Sequence, residues 1–335
     1  MLRLIARRLL QIPLILLAIY TLTLALAWGI PGNPLENPEG RRPAPEVQAA
    51  MLARYNLDSF PRFYWSYLDN ALGLKWVRDT ASGRAAAVSE ASRAEGQAPP
   101  RRRVFDLGPS LSYADWSVNE IIAGTLPVSA TLGLLAIAIA VVIGVGAGVV
   151  GAVRPNSWLD AATLGIALVG ISLPSFVIGT VLLLVFQVWL GWGKVAGEVG
   201  PVQMIAPAVT LSLPFAAYIA RLTRMGMIDQ LSADYIRTAR AKGLSESRIL
   251  LKHALKNAFL PVLSYLGPAT ALAMTGSFVV ERVFNIPGMG QFFVNAVQNK
   301  DLFLIIGVVL IFATTLILFN LAVDVLYRWV DPRIA

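Results

Sequence analysis

Cysteine is absent from the sequence, and histidine occurs once, at His253. The chain therefore cannot form a disulfide or a thiolate metal site, and a histidine-rich metal centre is excluded. Charged residues make up only 14% of the 335 residues, whereas a soluble domain carries about a quarter. Hydrophobic residues reach 56%. These departures from a soluble composition indicate a polytopic membrane protein.

The short motifs of common enzymes and nucleotide-binding proteins are also missing. The sequence has no G-x-x-x-x-G-K-[ST] loop, no H-E-x-x-H and no G-x-S-x-G. GAGVVG at 146–151 fits G-x-G-x-x-G, but it lies inside an apolar run, whereas a dinucleotide fingerprint follows a strand. We interpret its small residues as positions where membrane helices approach closely. Neither catalysis nor a bound cofactor is expected of this chain.

Several apolar runs are long enough to cross a bilayer, which takes about 20 residues because the hydrocarbon core is roughly 30 Å thick. No carboxylate lies at the centre of a run. Glu281 and Asp324 stand only at the ends, which argues against proton coupling. The spans are predicted at about 9–30, 121–153, 159–190, 204–225, 257–280 and 302–326.

Basic residues predict the orientation of these spans. With the N-terminus in the cytoplasm, fourteen Lys and Arg fall on the cytoplasmic side and three on short outer loops. Short cytoplasmic loops of membrane proteins carry an excess of Lys and Arg, which supports this orientation. The segment 31–118 was not counted, because the rule does not hold for loops longer than about 60 residues. We therefore predict that both termini are cytoplasmic. An alternative for the first span is a cleaved signal peptide, because ALA at 25–27 resembles a cleavage site.

The polar segment 31–118 is predicted to lie outside the cytoplasm. A short helix is expected over PEVQAAMLARYNL at 45–57, after a turn-rich stretch. The aromatic run RFYWSYL at 62–68 suits a membrane–water interface, a cap over a pathway or a docking surface. About 75–103 is rich in Ala, Arg, Ser, Glu and Pro, and we expect it not to fold on its own.

The predicted organisation follows from these segments. It comprises an N-terminal transmembrane helix at 1–30, the extracytoplasmic loop at 31–118, a transmembrane core at 119–326 and a cytoplasmic tail at 327–335.

One compact basic segment, residues 234–261, interrupts the apolar chain. Ser232 is predicted to cap a first helix, with Asp234 in its first turn and Gly243 ending it at a positive φ. Ser245 can cap a second helix that leads into the fifth span. The apolar stripe of this second helix is predicted to be Leu250, Leu251, Ala254, Leu255 and Ala258.

From the residues alone, four interpretations of this basic segment stay open. The four are a DNA-binding helix-turn-helix, a segment that lies on anionic lipid, a signal that only sets topology, and a docking element for a cytoplasmic protein. The first is disfavoured because both ends run into lipid. The whole chain likewise admits a stand-alone secondary transporter or channel, and a membrane enzyme. A secondary transporter would be expected to have charged residues at span centres and an inverted repeat, and the sequence shows neither. A membrane enzyme would need a nucleophile–base pair or a metal site, and the sequence shows neither of these.

Six long motifs follow one another along the chain: GPSLSYADWSVNEII at 108–122, LPVSATLG at 126–133, YIRTARAKGL at 235–244, HALKNAFLPV at 253–262, TGSFVVERVFNIPGMGQFFVNAV at 275–297 and NLAVDVLYRWVDPRI at 320–334. Together they resemble permease subunits of binding-protein-dependent ABC importers. The peptide and nickel branch is the most similar, and within it the first subunit of oligopeptide permeases. The resemblance covers nearly the whole chain except an insertion at about 73–104.

The resemblance implies an all-α membrane protein with the six transmembrane helices of a type I ABC importer permease, in a bacterial plasma (inner) membrane. It implies half of a pathway for oligopeptides or dipeptides, with nickel or glutathione as alternative cargo. The implied partners are a second homologous permease, two ABC ATPase subunits, an extracytoplasmic solute-binding protein and membrane lipid, with no nucleic acid. ATP and Mg would be bound by the ATPase subunits, and this chain would bind no cofactor.

The resemblance also implies functional positions. Arg237, Thr238 and Ala239 occupy the E-A-A places of the family's cytoplasmic loop, and Gly243 occupies its glycine. The implied ATPase-coupling residues are Asp234, Tyr235, Arg237, Thr238, Ala239, Arg240, Ala241, Lys242, Gly243 and Leu244. A second implied group, on an extracytoplasmic loop near the pathway, is Glu281, Phe284, Pro287 and Gly288.

Overall fold

A computed structural model describes residues 2–35, 44–83, 103–113, 115–191, 200, 203–275 and 278–330. Over these residues the secondary structure is helical and no strand forms. The helices are α1 (Leu2–Trp28), α2 (Pro45–Tyr55), α3 (Phe60–Ala71), α4 (Leu74–Ala81), α5 (Val118–Val153), α6 (Trp158–Ser172), α7 (Ser175–Leu182), α8 (Ile205–Leu231), α9 (Asp234–Ala241), α10 (Glu246–Arg248), α11 (Leu255–Ala258), α12 (Leu260–Thr275), α13 (Phe278–Val283), α14 (Met289–Gln298) and α15 (Leu302–Val330). Two π-helical stretches, Leu183–Trp189 and Ile249–Ala254, continue α7 and α10.

Five of the six predicted spans are confirmed as single helices, and the third differs in shape. Five helices are long and apolar enough to cross a membrane, and α6 with the α7 stretch makes a sixth if the two count as one span. This third span bends by 104°. Leu173 has an extended backbone there (φ −84°, ψ 131°) because the residue before a proline is disfavoured in the helical region. Pro174 was the signal in the sequence.

The described chain falls into two compact units. The first contains Met1–Pro13, Thr125–Gln291 and Phe312–Ala335, and the second contains Leu14–Gly124 and Phe292–Ile311. In the first unit α8 is the central helix, because it packs against α6, α7, α11 and α12. Its buried core is rich in small residues, which lets helix axes come close. Core members are Leu132, Ala136, Ala208, Leu211, Ala269, Ala273 and Val280.

Glycines of the GAGVVG region serve this close packing. A Cβ on Gly144 would lie 2.6 Å from the carbonyl oxygen of Ala216, and one on Gly148 would lie 2.6 Å from that of Ala220. Carbon and oxygen atoms that are not bonded cannot stand so near one another. The prediction that these glycines mediate close helix packing is confirmed for Gly144 and Gly148.

The second unit is built around aromatic rings. The helix predicted near 45–57 is present as α2, and the RFYWSYL run lies on α3. Phe63 and Tyr67 are buried, and Phe63 meets the ring of Phe303 at 5.2 Å between centroids. Tyr67 stacks on Tyr20 at 5.6 Å. Interface residues would be exposed along one side, so an interfacial belt is wrong for Phe63 and Tyr67. The intervening Trp65 is 67% exposed.

The segment at about 75–103 is more ordered at its start than predicted, because α4 continues to Ala81. Tertiary contacts explain this. Arg78 of α4 pairs with Asp69 of α3 at 2.5 Å, and Gly73 turns the chain at φ +73° against the carbonyl of Val104. Residues 84–102, which carry the rest of the prediction, lie outside the described residues.

A buried carboxylate organises the second unit where α15 begins. Asp301 has no exposed surface. Its Oδ2 accepts hydrogen bonds from the Ser110 hydroxyl at 2.5 Å and from the backbone N–H groups of Leu111 and Ser112 at 2.8 and 3.0 Å. Its Oδ1 accepts from the N–H of Leu304 at 3.1 Å. Burial raises the pKa of the Asp301 carboxyl, against the opposing effect of these donors.

Candidate functional site: the basic helical segment

Helix α9 packs against the rest of the first unit through one narrow apolar face. Ile236 is fully buried and Ala239 is 8% exposed. Both join a cluster that includes Met227 of α8 and Ile249 and Ala254 of the following π-helical stretch. An eight-residue helix is marginal in water by itself, so this cluster holds α9 in place. The sequence prediction of a short helix that needs a packing surface is confirmed.

The start of α9 differs from the prediction. Ser232 does not cap this helix, because it ends α8 and its hydroxyl donates to the Asp229 carbonyl at 2.8 Å. Ala233 takes the cap position without a side-chain hydrogen bond, and Asp234 opens the helix. The reason lies in α8, which stays helical through Leu231 and leaves only two residues for the corner.

The end of α9 follows the prediction. Gly243 has φ +73°, its N–H donates to the Arg240 carbonyl at 2.9 Å, and the Leu244 N–H donates to the Ala239 carbonyl at 3.3 Å. This pair of bonds is the Schellman arrangement, which glycine favours because it tolerates positive φ. A Cβ at Gly243 would meet no atom within 4 Å, so only the backbone conformation selects glycine here.

The other side of α9 faces away from the protein. Its members recur at helical spacing and form one exposed face, which we call the α9 face: Asp234, Arg237, Thr238, Ala241 and Lys242. Asp234 and Arg237 pair at 3.1 Å. Ala239, one of the E-A-A positions, points the opposite way, into the apolar cluster. It therefore positions the helix and has little surface to offer a partner.

Two side chains of α9, Tyr235 and Arg240, make polar contacts with its neighbours. The Tyr235 hydroxyl donates to Gln230 Oε1 at 2.7 Å and accepts from the Asn257 amide at 3.2 Å. Arg240 reaches across the turn to Glu246 at 2.8 Å. The hydrogen bond between them raises the pKa of Arg240 and lowers that of Glu246. These contacts join α9 to the end of α8 and to the second helix.

The second helix of the basic segment comprises α10, the π-helical stretch Ile249–Ala254 and α11. It begins where expected, but its buried residues differ from the predicted apolar stripe. Ser245 occupies its N-cap position, without a side-chain hydrogen bond. Ala254 and Ala258 are buried as predicted, but Leu251 is 64% exposed. The cause is the π-helical stretch Ile249–Ala254, because i→i+5 hydrogen bonding widens the turn and rotates residues relative to an α-helix.

The second predicted group forms a buried polar cluster. Glu281 has no exposed surface and Phe284 is 6% exposed. The Glu281 carboxylate accepts from the Ser129 hydroxyl at 2.7 Å and from the Gly290 N–H at 2.9 Å. Gly288 packs directly on that carboxylate. Of the predicted group only Pro287 is exposed. The other three members are buried inside the chain, and their position near a pathway stays a prediction.

One further pair was missed by sequence reasoning. Arg224 of α8 and Asp160 of α6 form a bidentate ion pair with little exposure, 20% and 3% of the two side chains. Each residue lies at the end of a predicted apolar run. Opposite charges at two such ends were the available signal, but pairing them required knowing that α6 and α8 are neighbours.

The comparisons with known proteins agree with this architecture. Residues 140–335 match the family described as binding-protein-dependent transport system inner membrane component. The oligopeptide transport system permease protein OppB of Haemophilus influenzae is 40% identical over 337 aligned positions, which cover 100% of this chain and 99% of the relative. The dipeptide transport system permease protein DppB of Bacillus subtilis is 38% identical, over 95% and 93% of the two chains.

A third relative covers less of the chain. The glutathione transport system permease protein GsiC of Escherichia coli is 42% identical over 68% of this chain and 74% of the relative. Among solved structures, a chain of the MetNI methionine ABC transporter in an inward-facing conformation aligns with a TM-score of 0.51. It covers 64% of this chain and 97% of the other at 18% identity. This last likeness concerns the fold. The sequence matches show that the chain belongs to the inner membrane components of binding-protein-dependent transport systems and is a permease subunit of an ABC importer.

Proposed function

We propose that this chain forms half of the translocation pathway of an ATP-driven peptide importer and that the α9 face contacts an ATPase subunit. Its partners are a second homologous permease, two ABC ATPase subunits and an extracytoplasmic solute-binding protein. ATP and Mg²⁺ belong to the ATPase subunits, and this chain catalyses no bond chemistry. Both termini and α9 lie in the cytoplasm, in keeping with the distribution of basic residues.

The observation that carries the proposal is the two-sided construction of α9. One side is anchored by Ile236 and Ala239, and Tyr235 and Arg240 join the helix to its neighbours. The opposite side is exposed and short, which suits a helix that seats in a partner's groove. Movement of the partner would reach α8 directly, because α9 packs on Met227 of that helix.

Oligopeptides are the proposed cargo, because full-length relatives at 40% identity carry that name. Glutathione is a second candidate, favoured by the 42% identity to the glutathione permease over the shared part. Both ligands have a peptide backbone. Identifying the solute-binding protein that copurifies with the complex and measuring its affinity for both ligands would decide between them.

The test of coupling uses the positive φ of Gly243. Gly243→Val forces a β-branched residue into the left-handed region, where an ordinary residue costs about 1–2 kcal/mol. Gly243→Asn is the matched control, since Asn tolerates that region. On the α9 face, Thr238→Trp adds bulk without touching the buried cluster, so it tests the contact itself.

The readout is ATP hydrolysis by the complete transporter in proteoliposomes, with and without loaded binding protein. We expect Gly243→Val and Thr238→Trp to assemble, to capture the binding protein and to lose most of the ligand-stimulated hydrolysis. Gly243→Asn should retain it. Wild-type stimulation in both Gly243→Val and Thr238→Trp would exclude α9 as the coupling element.

A further inference from the structure

A recess lies where α5, α6 and α8 meet at one end of the first unit. It is open on one side and has a volume of about 180 Å³. Most of its lining is small, and small side chains leave space between neighbouring membrane helices. The lining includes Ala147 and Gly148 of α5, Thr163 and Ala167 of α6, and Ala220 and Arg221 of α8.

One cation of this lining has no counter-charge. Arg221 is exposed, and its guanidinium forms no ion pair or hydrogen bond with any other described residue. Arg224 differs, because it is paired with Asp160. The Asp160 carboxylate also accepts the N–H of Asn156 at 2.8 Å, so its charge is already used. A cation within a membrane span usually has a functional partner, and for Arg221 that partner is an anion from outside the described chain.

The position of Arg221 along α8 places it at the edge of the apolar layer. The helix carries no charge over 205–220, which is about 24 Å at 1.5 Å per residue, and a hydrocarbon core is roughly 30 Å thick. Arg224 lies almost one turn further out. Its partner Asp160 follows Trp158, which is 77% exposed, and tryptophan is enriched at membrane–water interfaces. The long side chain of Arg221 can therefore reach the phosphate layer.

The rest of the recess extends from this level into the apolar layer. Helices α6 and α8 run antiparallel, because the ion pair of Arg224 lies at one end of their contact and Gly170 packs on the Leu213 carbonyl at the other. Ala167 therefore lies about 10 Å deeper than Asp160 along the helix. A recess of that length and of about 180 Å³ is narrow, which suits one extended hydrocarbon chain.

From these observations we propose that the recess binds an anionic phospholipid, with the phosphate at Arg221 and one acyl chain along the small residues of the wall. A zwitterionic lipid fits the same shape, but its headgroup brings a second cation close to the guanidinium. One basic residue near an anionic leaflet strengthens the attraction by roughly five-fold. We therefore expect a preference of that size for the anionic headgroup. The proposal does not depend on the contact of α9 with an ATPase subunit.

The experiment places a fluorophore beside the recess in the complete transporter. The chain has no cysteine, so Leu168→Cys gives a single attachment point in this subunit, with any cysteines of the partner subunits replaced. Leu168 is 66% exposed and follows Ala167 of the lining. The complex is placed in nanodiscs of phosphatidylcholine and phosphatidylglycerol in equal parts. Bromine atoms, which quench fluorescence at short range, are carried on the acyl chains of one lipid or of the other.

The matched control position is Val142→Cys on α5. Val142 is 74% exposed and is not part of the recess lining. It lies at a similar depth, because the nearby Gly144 packs on the Ala216 carbonyl.

We expect brominated phosphatidylglycerol to quench the label at Leu168→Cys with a relative binding constant of about five over brominated phosphatidylcholine. At Val142→Cys the two lipids should quench equally. Arg221→Gln should remove the preference at Leu168→Cys, and Arg221→Lys should retain most of it because the charge is kept. Arg237→Gln, on the α9 face, is the control for a general loss of positive charge and should leave the preference intact.

Three results would overturn the proposal. Two are equal quenching by the two lipids at Leu168→Cys and a preference that survives Arg221→Gln. The third is the absence of quenching by either lipid, which would assign this surface to a protein contact such as the second permease. The comparison of the two lipids in Leu168→Cys needs no charge variant, so it stays decisive if Arg221→Gln folds poorly. Both leaflets have the same composition, so the result is independent of the orientation of the chain and of the coupling role of α9.

Discussion

Arg224 and Asp160, 64 positions apart, meet through two hydrogen bonds: Nε to Oδ1 at 2.5 Å and Nη2 to Oδ2 at 2.6 Å. Oδ2 also accepts the N–H of Asn156 at 2.8 Å. The pair joins α6 to α8, the helix on which α9 packs. Its planar fork matches the carboxylate, which a lysine could not reproduce.

We predict that breaking this pair from one side costs more than removing both charges. Arg224→Gln or Asp160→Asn leaves the partner's charge buried and should destabilise the subunit by about 3–5 kcal/mol. The double change Asp160→Leu with Arg224→Met should cost less than either single change. Thermal unfolding of the purified chain in one detergent measures this. Equal or larger loss in the double variant would contradict the prediction.

The close packing around Glu281 predicts that one added methyl group lowers the stability of the subunit. Gly288→Ala would place its Cβ against the buried Glu281 carboxylate and should destabilise by about 1–3 kcal/mol through overpacking. Gly146→Ala is the matched control, since a Cβ there meets nothing within 4 Å. It should be neutral or stabilising by up to about 1 kcal/mol, because alanine favours a helix. Equal thermal midpoints for the two variants would show that the cluster tolerates movement.

The buried Asp301 predicts a pH dependence of stability. Its pKa is raised in the folded state, so the folded state holds the proton more tightly than the unfolded chain. Its contribution is therefore complete below the unfolded pKa of about 3.9 and is lost as the pH rises through the folded value. Relative to Asp301→Asn, the wild type should lose stability across that window. Thermal midpoints of both proteins along a pH series would test this, and parallel curves would refute it.

The proposed orientation predicts which engineered thiols are accessible from each side of the membrane. Ser82 and Ser245 are both exposed in the structure, so a difference in labelling would report the membrane side and not burial. We expect Ser82→Cys to react with an impermeant reagent in whole cells whose outer membrane has been permeabilised. Ser245→Cys should react only after lysis. External labelling of Ser245→Cys would invert the topology and remove the proposed ATPase contact.

Several features could be read from the sequence because they depend on local or compositional physics. Apolar runs of sufficient length become helices, since lipid leaves no other partner for the backbone polar groups. Gly243 ends α9 because only a residue that tolerates positive φ can close that turn. The long motifs likewise identified the family from their order alone. Each of these inferences needs only neighbours along the chain.

Other features were decided by which helices became neighbours. Asp160 and Arg224 are unremarkable ends of apolar runs until α6 and α8 are packed together. Glu281 lies at the end of a span as predicted, yet it is fully buried because the Ser129 hydroxyl and the Gly290 N–H compensate its loss of water. Ala239 turns inward because the apolar cluster lies on that side of α9. Burial and pairing depend on contacts distant in sequence, so only the tertiary structure could assign these roles.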